Sequence, residues 1–555
     1  MKVFGTFVTA PDLAELAHIP HAEIYGRGVF ARRFFDQLLR LADFDQYHFY
    51  QVGPGHAPQP GDFAAGDARL GVYPIREFAR RAREVDYAVL HNVWGPDIGP
   101  WTELRNRVCE VGFPVTGLIH SVGFQSFAPR LLASMAMGVR PWDSIVCTTE
   151  PGRVVMRNWI AHLRREFERE VGCGLRYEGR LDRIPLAIDA QVFRPRERAP
   201  LRRALGLPEG DVLLLGVGRF SPYDKMDLFP LLLAFRRALD LGPPVAASLL
   251  LAGADAGHGY AHRVEAFAAE LGLGGRVLTR TNVDDDSLPG LYAAADVFVS
   301  PSDNIQETFG QALIEAMAAG LPVVCSDWDG YRDLVVHGRT GYRVPTAWLE
   351  CDRELCDYAA LGHWMPDHFA LSQTVSVDVE ALARALRRLI DDRPRREELG
   401  AEGRRRALQL YDWPVVVRQY LDLWDELKAQ SRVAPVSAPV PRSWYRPPYF
   451  ELFRHYASAR VEDATRVRAA PAPAAVRWYE ELDGRLSSEL LAALLAGAAD
   501  WVEVGRLREQ VCAACAAEPQ EFGRHLMWAL KYALLVSDPG TLEGDVRALE
   551  IDPPA

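Results

Sequence analysis

The sequence predicts an α/β protein built on parallel sheets, and three observations carry this. Short apolar runs such as Asp296-Val-Phe-Val-Ser300, Ala247 to Ala252 and Val323-Val-Cys325 read as buried strands. Stretches with apolar residues at helical spacing separate them. Glycine-bearing polar loops lie where a strand gives way to a helix, as in Val217 to Lys225 and Ser300 to Gly310. Such loops leave the carboxyl ends of strands, where open α/β sheets bind ligands.

At 555 residues the chain is too long for one core and suggests three to four units. With 49% hydrophobic and 25% charged residues it reads as a globular protein in water. A net charge of −11 argues against nucleic acid as a partner. The eight scattered cysteines give no disulfide framework, so a cytoplasmic setting is expected. Cys512-Ala-Ala-Cys515 lies in an alanine-rich helical run and reads as two small core residues, not a redox or metal motif. No apolar run nears ~18 residues, so no integral membrane segment is expected.

In chain order, Val3 to Val8 is a first strand. Gly26 and Gly28 open a helix carrying Leu38, Leu39 and Leu41. Two glycines there permit either a phosphate or sugar at close approach, or a tight turn. Tyr87 to Leu90 and Val115 to Ile119 are strands ending at His91 and His120; His91 reads as structural, His120 as facing a crevice. Ser144 to Thr149 is a further strand. The Arg153 to Glu170 helix interleaves arginines with glutamates and reads as a solvated face. Asp211 to Val217 is a strand, and Arg219 and Lys225 follow it on one loop. Arginine forks to two phosphate oxygens and lysine acts as a point charge, so together they suit a diphosphate. Val277-Leu278 is a short strand before the loop Thr281 to Asp286.

After Ser300 come Asp303, Asn304, Gln306 and Glu307, then a helix from about Phe309-Gly310 that Gly320 stops. Its N-terminal N–H groups favour an anion. Glu307 and Glu315 frame it, about two turns apart at ~3.6 residues per turn. A carboxylate accepts two hydroxyl hydrogen bonds, so it suits the vicinal diols of a ribose or sugar. An anion cradle between two such carboxylates is what a nucleoside-diphosphate sugar requires.

Pro301-Ser302, Glu307-Thr-Phe-Gly310 and Glu315-Ala-Met-Ala-Ala-Gly320-Leu-Pro-Val-Val resemble the donor-site signature of retaining family 4 glycosyltransferases of the GT-B fold. Ser326-Asp-Trp-Asp-Gly-Tyr-Arg-Asp-Leu-Val and His337-Gly-Arg-Thr-Gly-Tyr continue it. Gly218-Arg-Phe followed by Lys225 resembles that family's diphosphate clamp, and His120 its cleft histidine. The resemblance covers about residues 1–428. It implies two facing Rossmann-like domains with parallel sheets, an acceptor-side domain over 1–195 and a donor domain over 196–410. Residues near 346–378 exceed the family pattern and read as an insertion. Residues 411–430 are expected to return to the first domain as closing helices. The proline-rich 431–448 reads as a linker, and 449–555 as a helical appendage.

The resemblance further implies transfer of a sugar from a UDP- or GDP-sugar to a hydroxyl, without metal or other cofactor. Arg219, Lys225, Thr308, Phe309 and Gly310 would hold the diphosphate, with Gly26 and Gly28 near it. Glu315 would bind the ribose, Glu307 the sugar, and His120 the reacting side. The base stays open, as does the acceptor: a glycan, lipid-linked, small-molecule or protein hydroxyl. A nucleotide-sugar epimerase, a phosphorylase or a non-catalytic nucleotide-sugar scaffold are the alternatives. Peripheral membrane contact is compatible with the chain. The appendage has helical periodicity over Leu486 to Ala499, Val504 to Glu518 and Glu521 to Val536. Few cations lie on its last helix (Arg524, Lys531), so partner docking or self-association is expected of it, not DNA binding.

Overall fold

Apolar runs of four to seven residues pair as parallel strands, and the helices between them cover both sheet faces. The computed structural model describes residues 1–9, 26–52, 67–109, 112–124, 126–255, 259–284, 287–352, 354–358, 364–433, 448–453, 456–457, 460–470, 479, 482 and 484–538. The first sheet comprises β1 (Val3–Thr9), β2 (Gln46–Val52), β3 (Leu70–Pro74), β4 (Tyr87–Asn92), β5 (Val115–Leu118), β6 (Ser144–Cys147) and β7 (Arg180–Arg183). Its strand order is β3-β2-β1-β4-β5-β6-β7. The second comprises β8 (Val212–Val217), β9 (Ala247–Gly253), β10 (Val277–Thr281), β11 (Val297–Ser300), β12 (Val323–Ser326) and β13 (Gly341–Val344), in the order β10-β9-β8-β11-β12-β13. Every neighbouring pair in both sheets is parallel. These are the two Rossmann-like domains of a GT-B fold.

Strand order reverses between β1 and β4 in one sheet and between β8 and β11 in the other. Consecutive crossovers leave such a point on opposite faces, so a crevice opens at the strands' carboxyl ends. Each face of the second sheet has its own core. Leu214, Leu249 and Val299 pack with Leu231, Phe235, Leu382 and Leu386 on one side. Leu213, Leu215 and Phe298 pack with Leu313, Ile314 and Met317 on the other. Burial on both faces is why these strands read as continuous apolar runs.

The chain crosses between the halves twice, and the crossings are tied together. Ile188 N–H donates to Tyr411 O at 2.8 Å, and Trp413 N–H to Ile188 O at 3.2 Å. The Trp413–Val433 helix then packs on the first sheet. Trp424 is buried there with its ring 5.5 Å from that of Phe4, and its Nε1–H donates to Thr116 Oγ1 on β5 at 3.2 Å. β14 (Thr346–Trp348) and β15 (Val375–Val377) pair antiparallel, so the chain between them leaves the second half and returns at one place. That excursion holds the helices Glu354–Tyr358 and Trp364–Ser372.

Residues 444–555 form a separate compact unit. Beside a single turn at Tyr449–Leu452, its described helices are Ser488–Gly497, Val504–Cys515 and Pro519–Lys531, close to the expected helical stretches. It also carries an antiparallel sheet that the sequence did not announce, β16 (Arg466–Ala469), β17 (Val502–Glu503) and β18 (Leu535–Ser537), in the order β17-β16-β18. Strands of two to four residues are too short to show a two-residue period. The Pro/Ala run Ala469 to Ala475 reads from sequence as a second spacer, but Ala469 ends β16; residues 471–475 of that run and most of the 431–448 linker lie outside the described residues. Val467, Leu494, Leu507, Phe522 and Leu526 make this unit's core. Among the described residues no helix is long and apolar enough to cross a membrane.

Truncating Trp424 to Ala removes a buried indole and leaves Thr116 without its donor. The expected cost is about 3–5 kcal/mol of unfolding free energy, read as a lower urea midpoint. An unchanged midpoint would show that the returning helix does not hold the first sheet.

Candidate functional site

Strands β8 and β11 are adjacent, so the loops leaving their carboxyl ends meet. Lys225, on the loop after β8, places Nζ 2.6 Å from Glu307 Oε2, on the loop after β11. Further bonds lace the two loops together. Ser302 Oγ donates to Lys225 O at 3.3 Å, and Asn304 Nδ2 to Tyr223 O at 3.0 Å. Burial pushes the Glu307 carboxyl up. The Lys225 ammonium, its hydrogen bond, the Phe309 N–H and the Tyr331 hydroxyl outweigh that and hold it below its usual value. Glu307 is therefore a carboxylate in a sheltered site. Tyr331 reaches it at 3.4 Å and shares its hydroxyl with Ser300 Oγ at 2.8 Å. Arg219 lies on the same loop as Lys225 but does not join the pair: its Nη2 is 3.1 Å from the Asp224 carboxylate and 3.1 Å from the Asp224 carbonyl.

The helix Gln311–Ala318 begins directly after this loop. Gly310 enters it at φ 105°, left-handed backbone that favours glycine, and a Cβ there would stand 2.5 Å from the Tyr331 ring. The turn therefore brings the helix's unpaired first N–H groups beside Glu307. Thr308 and Phe309 are both buried. Glu315 sits on the helix, buried, accepting from Tyr292 Oη at 2.9 Å with Arg33 Nη1 4.0 Å away. It does not touch the Lys225–Glu307 pair. Arg33 belongs to the first half's Gly26–Leu41 helix, so this contact reaches across the crevice.

Thr308 joins the halves. Its hydroxyl donates to His120 O, while its own carbonyl accepts from Thr149 Oγ1 at 2.9 Å and Thr148 Oγ1 at 3.4 Å. His120, just past β5, donates from Nε2 to Val93 O at 2.7 Å. A carbonyl can only accept, so the neutral ring carries its proton on Nε2. His91 is a core residue instead. It is fully buried beside Thr116 Oγ1 at 2.8 Å, and burial, with His120 nearby, pushes its pKa down to about 3. Gly26 and Gly28 lie in the first turn of their helix. The loop before it, 10–25, lies outside the described residues, as do Asp285 and Asp286 of the Thr281 to Asp286 loop.

Four residues here were not singled out from sequence. Tyr331 and Asp329 follow β12 and reach the site only through tertiary packing. His368, in the insertion, places Nε2 3.0 Å from Gly123 O in the first half, while its neighbour Phe369 stacks near Tyr223 with centroids 5.0 Å apart. The insertion thus touches both halves beside the site. Asp303 is buried three residues after β11's end, and accepts from the Asp227 N–H at 3.3 Å. Burial, with the Asp227 charge, pushes its carboxyl up to about 7 despite that bond.

A carboxyl raised on folding destabilises the fold as it ionises. Its contribution is intact below the unfolded value of about 4 and lost as pH rises through about 7. Asp303→Asn is expected to remove that decline, so the difference in melting temperature between variant and wild type should grow from pH 4 to pH 8. A constant difference would contradict the assignment.

Residues 197–349 match the family model for glycosyl transferases group 1. Curated relatives include the D-inositol 3-phosphate glycosyltransferase of Nocardioides, 30% identical over 265 residues, covering 46% of this chain and 50% of the relative. That of Nocardia farcinica is 36% identical over 192 residues, covering 34% and 40%. The chain spans about half the length of the curated relatives it matches or less. Among solved structures, sucrose-phosphate synthase from Thermosynechococcus elongatus superposes with a TM-score of 0.52 at 21% identity, covering 78% of this chain and 100% of that one. Anabaena HepE in complex with UDP gives 0.50 at 15% identity, covering 77% and 100%. Residues 197–349, which match the glycosyl transferases group 1 model, hold Arg219, Lys225, Glu307 and Glu315, and the chain around them has the GT-B fold.

Proposed function

We propose that the chain is a retaining glycosyltransferase that moves a sugar from a UDP- or GDP-sugar to an acceptor hydroxyl. The observation that carries this is the Lys225–Glu307 pair at the second sheet's switch point, beside a helix N-terminus. The diphosphate lies against the Gly310 turn, with Lys225 and Arg219 moving onto its oxygens. Both side chains are long enough to leave Glu307 and Asp224 for a phosphate. Their charge stabilises the one that grows on the leaving diphosphate as the glycosidic bond breaks. Glu315 binds the ribose hydroxyls, exchanging its bond from Tyr292 for them. Glu307 accepts from sugar hydroxyls and fixes the ring. His120 stands on the reacting side, with Val93 fixing its tautomer.

Retention follows from attack on the face the leaving group departs from. The bond from the anomeric carbon to the diphosphate oxygen breaks, and the bond to the acceptor oxygen forms. The acceptor's proton passes to the departing phosphate oxygen. No carboxylate nucleophile enters this scheme. No metal or other cofactor is assigned a step. The relatives' acceptor, D-inositol 3-phosphate, is not carried over, because acceptor contacts come from the first half's loops, outside the 197–349 match.

The test is nucleotide release from UDP- and GDP-sugars, with the anomeric configuration of the product read by NMR. Glu307→Gln and Lys225→Ala are each expected to lower turnover by at least 100-fold, about 2.7 kcal/mol, with unchanged far-UV circular dichroism. Wild-type turnover in either variant, or an inverted product, would overturn the reading. Nucleotide release that needs no acceptor and yields an epimerised sugar nucleotide would favour an epimerase.

A further inference from the structure

Asp329 occupies a position that its own local chemistry disfavours. It has φ 39°, one of four non-glycine residues with positive φ among the described residues. Left-handed backbone crowds any side chain with a Cβ. Its Oδ1 is sealed from solvent and has no hydrogen-bond partner. Burial and the neighbouring Glu307 charge both oppose its ionisation, only partly offset by the Gly330 N–H and Arg332, which favours the protonated form, one that can donate. A glycine here would relieve the backbone and remove the buried polar group together. Residues that break local rules in this way concentrate at functional sites.

Its surroundings place it at the site. On one side Trp328 Nε1–H donates to Asn304 O at 3.1 Å; on the other Tyr331 bonds Glu307. Gly330, between them, packs so closely that a Cβ would stand 2.5 Å from Thr308 O and 2.7 Å from Phe309 Cα. The turn holding Asp329 is thus clamped against the 304–309 loop at three points. Resting on the sugar-transfer reading above, we propose that Asp329 is a second sugar-recognition residue, its unpartnered Oδ1 working beside the Glu307 carboxylate. An acid that donates next to a carboxylate that accepts can fix both the position and the orientation of adjacent sugar hydroxyls.

The test compares wild type, Asp329→Gly and Asp329→Asn by melting temperature and by calorimetric titration with UDP, GDP, UDP-glucose, UDP-N-acetylglucosamine and GDP-mannose. Asp329→Gly is expected to melt higher than wild type, so loss of fold does not confuse the result. It should bind the free nucleotide within about twofold of wild type, yet lose about tenfold on the sugar nucleotide that wild type prefers, the scale of one hydrogen bond to a buried group. Asp329→Asn keeps a donor and tolerates the same backbone, and should retain that preference. Unchanged sugar preference in Asp329→Gly overturns the role of Asp329 alone. Wild type that binds neither UDP nor GDP overturns the sugar-transfer reading and this inference with it. Wild type that binds nucleotides with no gain from any sugar overturns this inference while leaving nucleotide binding intact.

Discussion

The arrangement of the second half depends on one ion pair, Lys225 with Glu307, formed across the switch point of its sheet. Removing two charges from water is costly, and a sheltered ion pair alone often fails to offset that cost. Here the carboxylate also accepts from the Phe309 N–H and Tyr331, so its ionised form is well satisfied. The pair holds two loops from non-consecutive strands in register. It also stores a cation and a carboxylate that an incoming anionic ligand can separate. On the proposed reading, that dual character makes the pair a binding device more than a structural rivet.

The two halves are joined through a small number of polar contacts next to this pair. Thr308 contributes a donor and an acceptor to the first half within one residue. Glu150 N–H donates to Asp333 at 2.7 Å, and Gln311 Nε2 to Ala187 O at 3.0 Å. These bonds are directional and few, whereas each half keeps its own extensive apolar core. Polar contacts between separately stable cores suit halves that move relative to one another when a ligand enters. The insertion adds a contact of the same kind through His368, outside the ordinary pattern of the fold.

Much of the fold was legible because the central parallel strands, buried on both faces, leave unbroken apolar runs; edge strands such as β7 and β10 have no fully buried residue and do not. Lys225, Glu307 and the Gly310 turn were legible because each lies on the loop that leaves a strand's carboxyl end. Arg219 was read as part of the same clamp, but its nearest carboxylate, Asp224, is on its own loop and holds it there. Glu315 was read as an open ribose ligand; its bond from Tyr292 depends on a helix 23 residues away in sequence. Asp303 and Asp329 lie within stretches read from sequence but were given no role there, since only burial and, for Asp329, a positive φ distinguish them from surface acids. The small sheet of the last unit escaped because each strand contributes at most one buried residue.

The most direct measurement is a crystal structure of the protein soaked with UDP or GDP. The account expects the diphosphate at the Gly310 turn, within hydrogen-bond reach of Lys225 Nζ and the helix's first N–H groups, with Glu307 released from Lys225. A nucleotide bound elsewhere, with the Lys225–Glu307 pair still closed, would contradict it.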